Sequence, residues 1–193
     1  MRTWIETSAR WVEDHYLFGR EHLRQTLVWL DRLAPGSREA VRLAALTHDM
    51  ERAFPGPDSP AMALHGVEYY RAHSARSVRI VGEYLRSQDA PEPLVIDVEA
   101  LILVHEFGGW PEADLVQAAD SVSFLEVNID LFLGFARDGK FSVSDVRGKF
   151  QWMNDRIQVE AARPIAKPML DDALARLRVV EAALAAAPRG RTA

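Results

Sequence analysis

Four histidines and two aspartates carry the chemistry this chain could do. His48 and Asp49 are adjacent in Leu43-Ala44-Ala45-Leu46-Thr47-His48-Asp49-Met50. His22 precedes them, Asp120 follows, and His73 and His105 fall between. Neutral imidazoles and carboxylates are ligand types that hold one or two divalent ions of manganese, iron, cobalt, nickel, zinc or magnesium. A His-Asp pair closing an apolar segment puts ligands where a core-facing surface meets solvent, a place where a metal-activated water is useful.

Each of these residues also has a purely structural reading. His22 is followed at helical spacing by Thr26, Leu30 and Leu33, so it suits a core-edge imidazole bonded to backbone as well as it suits a ligand. His48 at a helix C-terminus complements the macrodipole, and Asp49 could be a turn carboxylate. Asp120 shares its face with Val116, Ser123 and Val127, so its carboxylate points inward. A lone buried carboxylate is costly, and either an arginine or a metal must compensate it. His105 stands four residues after Leu101, and His73 opens a segment whose Val78, Val81 and Leu85 face a core. All six on inward stripes or helix ends is a pattern that a metal explains better than chance does.

The elements that must position these residues read as helices. Apolar residues recur at helical spacing over 3–17, 20–33, 38–49, from about 63 to 87, and over 94–105, 112–135, 144–160 and 168–186. Ser37 is the expected N-cap of the third helix. A break is expected near Gly66 or Ser74, and Pro111 suits the first turn of the helix after it. The proline-rich stretch 54–60 is a loop. Phe141-Ser142-Val143 alternates but is too short for a strand. The expected fold is all-α, a single compact bundle of roughly seven to nine helices, with a frayed or disordered tail at 188–193.

Composition excludes several classes. The chain has 193 residues, 48% hydrophobic and 26% charged, with a net charge of −5. That supports one soluble domain and disfavours general nucleic-acid binding. No cysteine is present, which removes disulfides, cysteine-type zinc sites and thiol nucleophiles. Neither a signal peptide nor a membrane span is visible, so a cytoplasmic location is the expectation. Phosphate-loop, nucleophile-elbow and dinucleotide-binding motifs are missing. Val146-Arg147-Gly148-Lys149-Phe150 reads as a solvated basic face. The aromatic set Trp110, Phe124, Phe132, Phe135, Phe150 and Trp152 reads as core rather than as a base-stacking pocket.

The order His22, His48-Asp49, Asp120 on a helical frame resembles the HD-domain superfamily of metal-dependent phosphohydrolases. His22-Leu23-Arg24, the segment ending in His48-Asp49, and Ala118-Ala119-Asp120 are similar to its ligand-bearing words. The resemblance covers roughly residues 20–124. It implies an HD-like domain over 1–187, with a ligand-bearing core at about 20–126 and closing helices at 127–187. His22, His48, Asp49 and Asp120 would hold one metal, and His73 and His105 would bring in a second or bind phosphate, with Asp49 bridging. The implied activity is hydrolysis of a small phosphorylated metabolite, foremost a nucleotide, as a phosphomonoesterase or phosphodiesterase. Asp49 and Arg52 are the implied catalytic residues, and Arg52 would grip a substrate phosphate or else pair with Glu51 or Asp58. Glu106 and Glu126 are read as surface carboxylates, with support of the ligands as the alternative. The loop 54–60 suggests an open pocket with a mobile rim. The signatures of cyclic di-nucleotide phosphodiesterases and alarmone hydrolases are absent. A non-catalytic regulatory module and a di-iron oxygenase use the same frame, and a homodimer is an open option.

Overall fold

The structure, a computed structural model, describes residues 3–186. The tail expected at 188–193 lies outside the described residues. Nine α-helices and two short 3-10 turns make up the fold, with no strand among the described residues. The helices are α1 Trp4–His15, α2 Arg20–Leu33, α3 Glu39–Thr47, α4 Val67–Ser87, α5 Glu92–Val104, α6 Pro111–Val127, α7 Ile129–Arg137, α8 Val143–Asp155 and α9 Arg163–Ala186. No described helix is long and apolar enough to cross a membrane.

Local chemistry sets most of the boundaries. Thr3 and Glu6 form a capping box at the start of α1, and Ser142 and Asp145 form another at α8. Pro111 opens α6 at its first position, where a missing amide costs nothing. Ser37 does not cap α3. Its hydroxyl donates to the Ala34 carbonyl at 2.8 Å, closing the preceding turn, and Arg38 takes the cap position.

Three other boundaries depart from the sequence reading. α4 runs through Ser74 without a break and begins after Gly66, whose φ of 121° only glycine adopts comfortably. The region 112–135 is two helices, divided at Asn128. α9 starts at Arg163 and carries Pro168 inside it, within its second turn, where one lost amide is tolerated.

α6 lies at the centre of the bundle. Residues are buried on all its sides, and many of them are small, including Ala113, Ala118, Ala119, Ser121 and Ser123. Small side chains let neighbouring backbones approach. α2 packs along α6, α4 along α5, and α3 is wedged among α1, α2 and α5, while α8 and α9 cover the far side of α6. Phe124, Phe132 and Phe150 are buried together, with Phe135 and Trp152 packed against the same core; Trp110 stays exposed. The histidine-bearing ends of α3 and α5 and the middles of α4 and α6 therefore meet at one place.

Candidate metal centre

Two helices end in the same way. α3 closes on His48 and α5 on His105, with nearly equal backbone angles of φ −55°, ψ −31° and φ −56°, ψ −25°. Each imidazole turns back on its own helix. Nδ1 of His48 lies 3.0 Å from the Ala45 carbonyl oxygen, and Nδ1 of His105 lies 2.7 Å from that of Ile102. A carbonyl only accepts, so Nδ1 carries the proton and, in the neutral ring, Nε2 is left with a bare lone pair. At α5 the Ile102 carbonyl also accepts the His105 amide, at 3.4 Å. An acidic residue follows each histidine, Asp49 in one case and Glu106 in the other.

His22 reaches the same state by another route. Ser123 of α6 gives its single hydroxyl proton to the His22 carbonyl oxygen at 2.8 Å, so its oxygen accepts from His22 Nδ1 at 2.9 Å. His22 Nε2 then faces Asp120 Oδ1 at 3.1 Å. His48 Nε2 is 3.5 Å from that same oxygen and 4.0 Å from Asp49 Oδ1. His73, from the middle of α4, points Nε2 at Glu106 Oε1 at 3.3 Å and at Asp49 Oδ1 at 3.6 Å. The imidazoles form a row, His22–His48–His105–His73, with ring centroids 5.4, 4.9 and 5.0 Å apart.

The fold thus brings His22, His48, Asp49, His73, His105 and Asp120 together, and all six are buried. Three overlapping groups each keep their ligand atoms within 4.8 Å of one another: His22, His48 and Asp120; His48, Asp49 and His105; His73, His105 and Glu106. Nε2 of His48, Nε2 of His105 and both ring nitrogens of His73 have no hydrogen-bond partner among the described residues. Lone pairs aimed at carboxylate oxygens are acceptors facing acceptors, an arrangement that a cation between them stabilises. The donor set of nitrogen and oxygen without sulfur fits one or two divalent ions.

Asp120 has both of the compensations that its burial called for. Its Oδ2 pairs with Arg156, while Oδ1 faces the imidazoles. Arg156 caps α8 and is itself buried; it also pairs with Glu106 and donates from Nε to Ser121 Oγ at 2.8 Å. One guanidinium thus holds the outer oxygens of two carboxylates and leaves their inner oxygens turned to the histidines. Glu106 is consequently not a surface carboxylate; it is only 3% exposed. Glu126 is exposed and accepts from Gln25 Nε2 and Trp29 Nε1, both at 2.6 Å. The basic segment of α8 is not a solvated face either. Val146, Lys149 and Phe150 are buried, and Arg147 alone reaches outward, to Glu181 at 2.7 Å.

Electrostatics follow this packing. Burial would raise the Asp49 carboxyl, but Arg52 and the flanking imidazoles hold it below the usual carboxylate range. Burial would also raise Glu106 and Asp120, and Arg156 keeps both well below it. Burial opposes protonation of His48, yet Asp120 and Asp49 raise it, as expected of a position that attracts a cation. His105, deeper and beside two other imidazoles, is pushed down to about 3. Burial brings Lys149 down to about 8.

A cleft opens over this floor. His22, Asp49, Glu106 and Asp120 lie at its base, with Arg52, Tyr69, Phe124, Asn128 and Lys149 around them. Its enclosed space is about 30 Å³, room for an ion or a water and little more, so the pocket is narrower than the loop suggested. Beside it lies a chamber of about 240 Å³ that shares Arg52, Met62 and Tyr69 and adds Glu51, Pro55, Ser59 and Pro60. Arg52 sits between the two, 3.4 Å from Asp49 Oδ2 and 3.8 Å from Glu51 Oε1. Asp58 instead pairs with Arg76 and Arg79. Arg76 further donates to the carbonyls of Glu51 at 2.8 Å and Phe54 at 2.6 Å, so the 54–60 rim is tied to α4.

Comparison with protein-family models, with curated proteins and with solved structures finds no match for this chain. The residues themselves establish an all-helical bundle with buried clusters of His, Asp and Glu that could hold metal ions.

Proposed function

We propose that the chain is a metal-dependent phosphohydrolase of the HD-domain type, acting on a small phosphorylated metabolite, with nucleotides the leading class. One observation carries this reading: three imidazoles locked through Nδ1 present bare Nε2 atoms among buried carboxylates, and of this group His22, Asp49, Glu106 and Asp120 form the base of a cleft. His22, His48, Asp49 and Asp120 would hold one ion. His73, His105 and Glu106 would hold a second, with Asp49 bordering both groups. A bound divalent ion polarises a phosphoryl oxygen and lowers the pKa of water.

The chain's own residues would do the rest. Ser123 and the carbonyls of Ala45 and Ile102 fix the imidazole tautomers. Arg156 fixes the carboxylates. Asp49, at the cleft base and held ionised by Arg52, accepts a hydrogen bond from an attacking water and orients it. Arg52 offers donors to a phosphate oxygen at the junction of cleft and chamber. The chamber, walled by Pro55, Pro60, Met62 and Tyr69, receives the rest of the substrate. His73 and His105 do not line the cleft, which favours metal holding over direct phosphate contact for both. The whole described chain is read as one such domain, with α7 to α9 closing the ligand-bearing core.

Elemental analysis of the purified protein and a panel of nucleotide monoesters and diesters test this. Wild type should carry one or two ions per chain and hydrolyse a member of the panel, and Asp49→Ala should lose both properties. Full hydrolysis by Asp49→Ala, or an ion-replete wild type inert on every phosphate ester, overturns it.

A further inference from the structure

α8 places two cations at this centre, and only one of them is partnered. Arg156 uses Nε, Nη1 and Nη2 on Ser121, Glu106 and Asp120. Lys149 lines the same cleft, 8% exposed, and makes no ion pair or hydrogen bond among the described residues. Its ammonium stands 5.3 Å from the Tyr70 ring centroid and 5.5 Å from that of Phe124. The carboxylates nearest in role, Glu106 and Asp120, are taken by Arg156. Two aromatic faces offset part of the cost of a buried ammonium, but they accept none of its three protons in a conventional hydrogen bond. If only the stem mattered, methionine would fill the space without that cost. A group held this way is stabilised by an anion that arrives from solvent.

We propose that Lys149 grips a non-bridging oxygen of the terminal phosphoryl group and makes the site selective for phosphomonoesters over phosphodiesters. The inference rests on the phosphohydrolase reading above. The floor has room for an ion or a water and little more, so the phosphoryl end of a substrate would sit just above it, between Arg52 and Lys149 on the cleft walls. Arg52 marks the side on which the chamber takes the leaving group. Lys149 is a separate point of positive charge on the same cleft, and a monoester brings it a terminal anionic oxygen. A diester has a second ester substituent, which in that place would cover the ammonium while offering it less charge. An ammonium is a compact point charge suited to a single terminal oxygen.

The test uses the full chain loaded with manganese, with ion content measured for each variant. Lys149→Met keeps the stem and removes the charge, and Lys149→Arg keeps the charge. In Lys149→Met, binding of inorganic phosphate measured by calorimetry should weaken about 10- to 100-fold, the range for losing one charged hydrogen bond, with ion content unchanged. Lys149→Arg should retain more of that affinity. The value of kcat/KM for para-nitrophenyl phosphate should fall by a similar factor, while that for bis(para-nitrophenyl) phosphate should change less than about threefold. Unchanged phosphate binding in ion-replete Lys149→Met and Lys149→Arg, or equal losses on both esters, overturns the proposal. A wild type that is inert on both esters and on the nucleotide panel, yet binds phosphate in a Lys149-dependent way, overturns the hydrolase reading and supports the assignment of Lys149 as an anion-gripping residue.

Discussion

Replacing Arg156 by methionine probes the electrostatic frame directly. Methionine fills much of the guanidinium's volume, so the change removes charge and donors rather than opening a large cavity. Wild-type Arg156 is 5% exposed and serves Glu106, Asp120 and Ser121 at once. Its loss leaves two buried carboxylates without their cation. Breaking a buried pair in this way costs about 3–5 kcal/mol, which for a chain of this size lowers the melting temperature by about 10 °C. The assay is thermal unfolding in EDTA and again with excess manganese. Ions that bind only the folded state stabilise it by mass action. In Arg156→Met they also take over the compensation of Asp120 and Glu106 that the guanidinium supplied, so manganese should raise the variant's melting temperature more than the wild type's. The sign with pH follows as well. Both carboxyls are held well below their ordinary values, so the stability that Arg156 supplies is fully present above an unfolded-state pKa of about 4. It is lost as pH falls through the folded values, and the gap between variant and wild type should close in acid. A melting temperature in EDTA at neutral pH within about 2 °C of wild type would refute the reasoning.

Two further changes separate ligand orientation from packing. Ser123→Ala removes the acceptor for His22 Nδ1 while leaving every ligand in place, and metal affinity measured by competition with a chelator should fall about 10- to 100-fold; undiminished affinity would mean that the serine does not set the tautomer. Phe150→Ala empties a fully buried position beside Phe124 and Phe132, and should cost about 3–5 kcal/mol in denaturant unfolding, whereas a loss under about 1 kcal/mol would show that this part of the core is loosely packed.

What the sequence revealed and what it hid divide along a physical line. Histidine and aspartate on apolar stripes stand out, because a polar group at a core position demands a reason. All six such residues do converge. Lysine and arginine give no comparable signal, since a charged side chain on a helix is by default solvated; Lys149 and Arg156 owe their burial to α8 lying against α6, which no local pattern encodes. Glu106 does carry a signal in the sequence. The endings Leu46-Thr47-His48-Asp49 and Val104-His105-Glu106 are alike, and the shared backbone and the shared Nδ1 bond to the carbonyl three residues back show that they are one device used twice. The division of α6 from α7 at Asn128 had no glycine or proline to announce it.

Charge alone does not argue for a metal here. Asp49, Glu51, Glu106 and Asp120 are met by Arg52, Arg76, Lys149 and Arg156, so the protein's own groups offset the carboxylates. Hydrogen bonding points the other way. A network built only for stability would turn imidazole N–H groups toward the carboxylates and gain charge-assisted bonds. Instead Ser123, Ala45 and Ile102 take the Nδ1 protons, and the lone pairs are spent on facing oxygen. The local structure forfeits several favourable bonds to hold that orientation, and burial adds to what each forfeited bond costs. Because the residue charges already offset one another, an ion held by these lone pairs would leave the cleft with a net positive charge. Arg52 and Lys149 at its walls, the one loosely paired and the other in no direct ion pair among the described residues, would add to the attraction of an anionic ligand. The same arrangement that makes the centre poor as a purely structural network suits it to hold an ion and, through that ion, a phosphate.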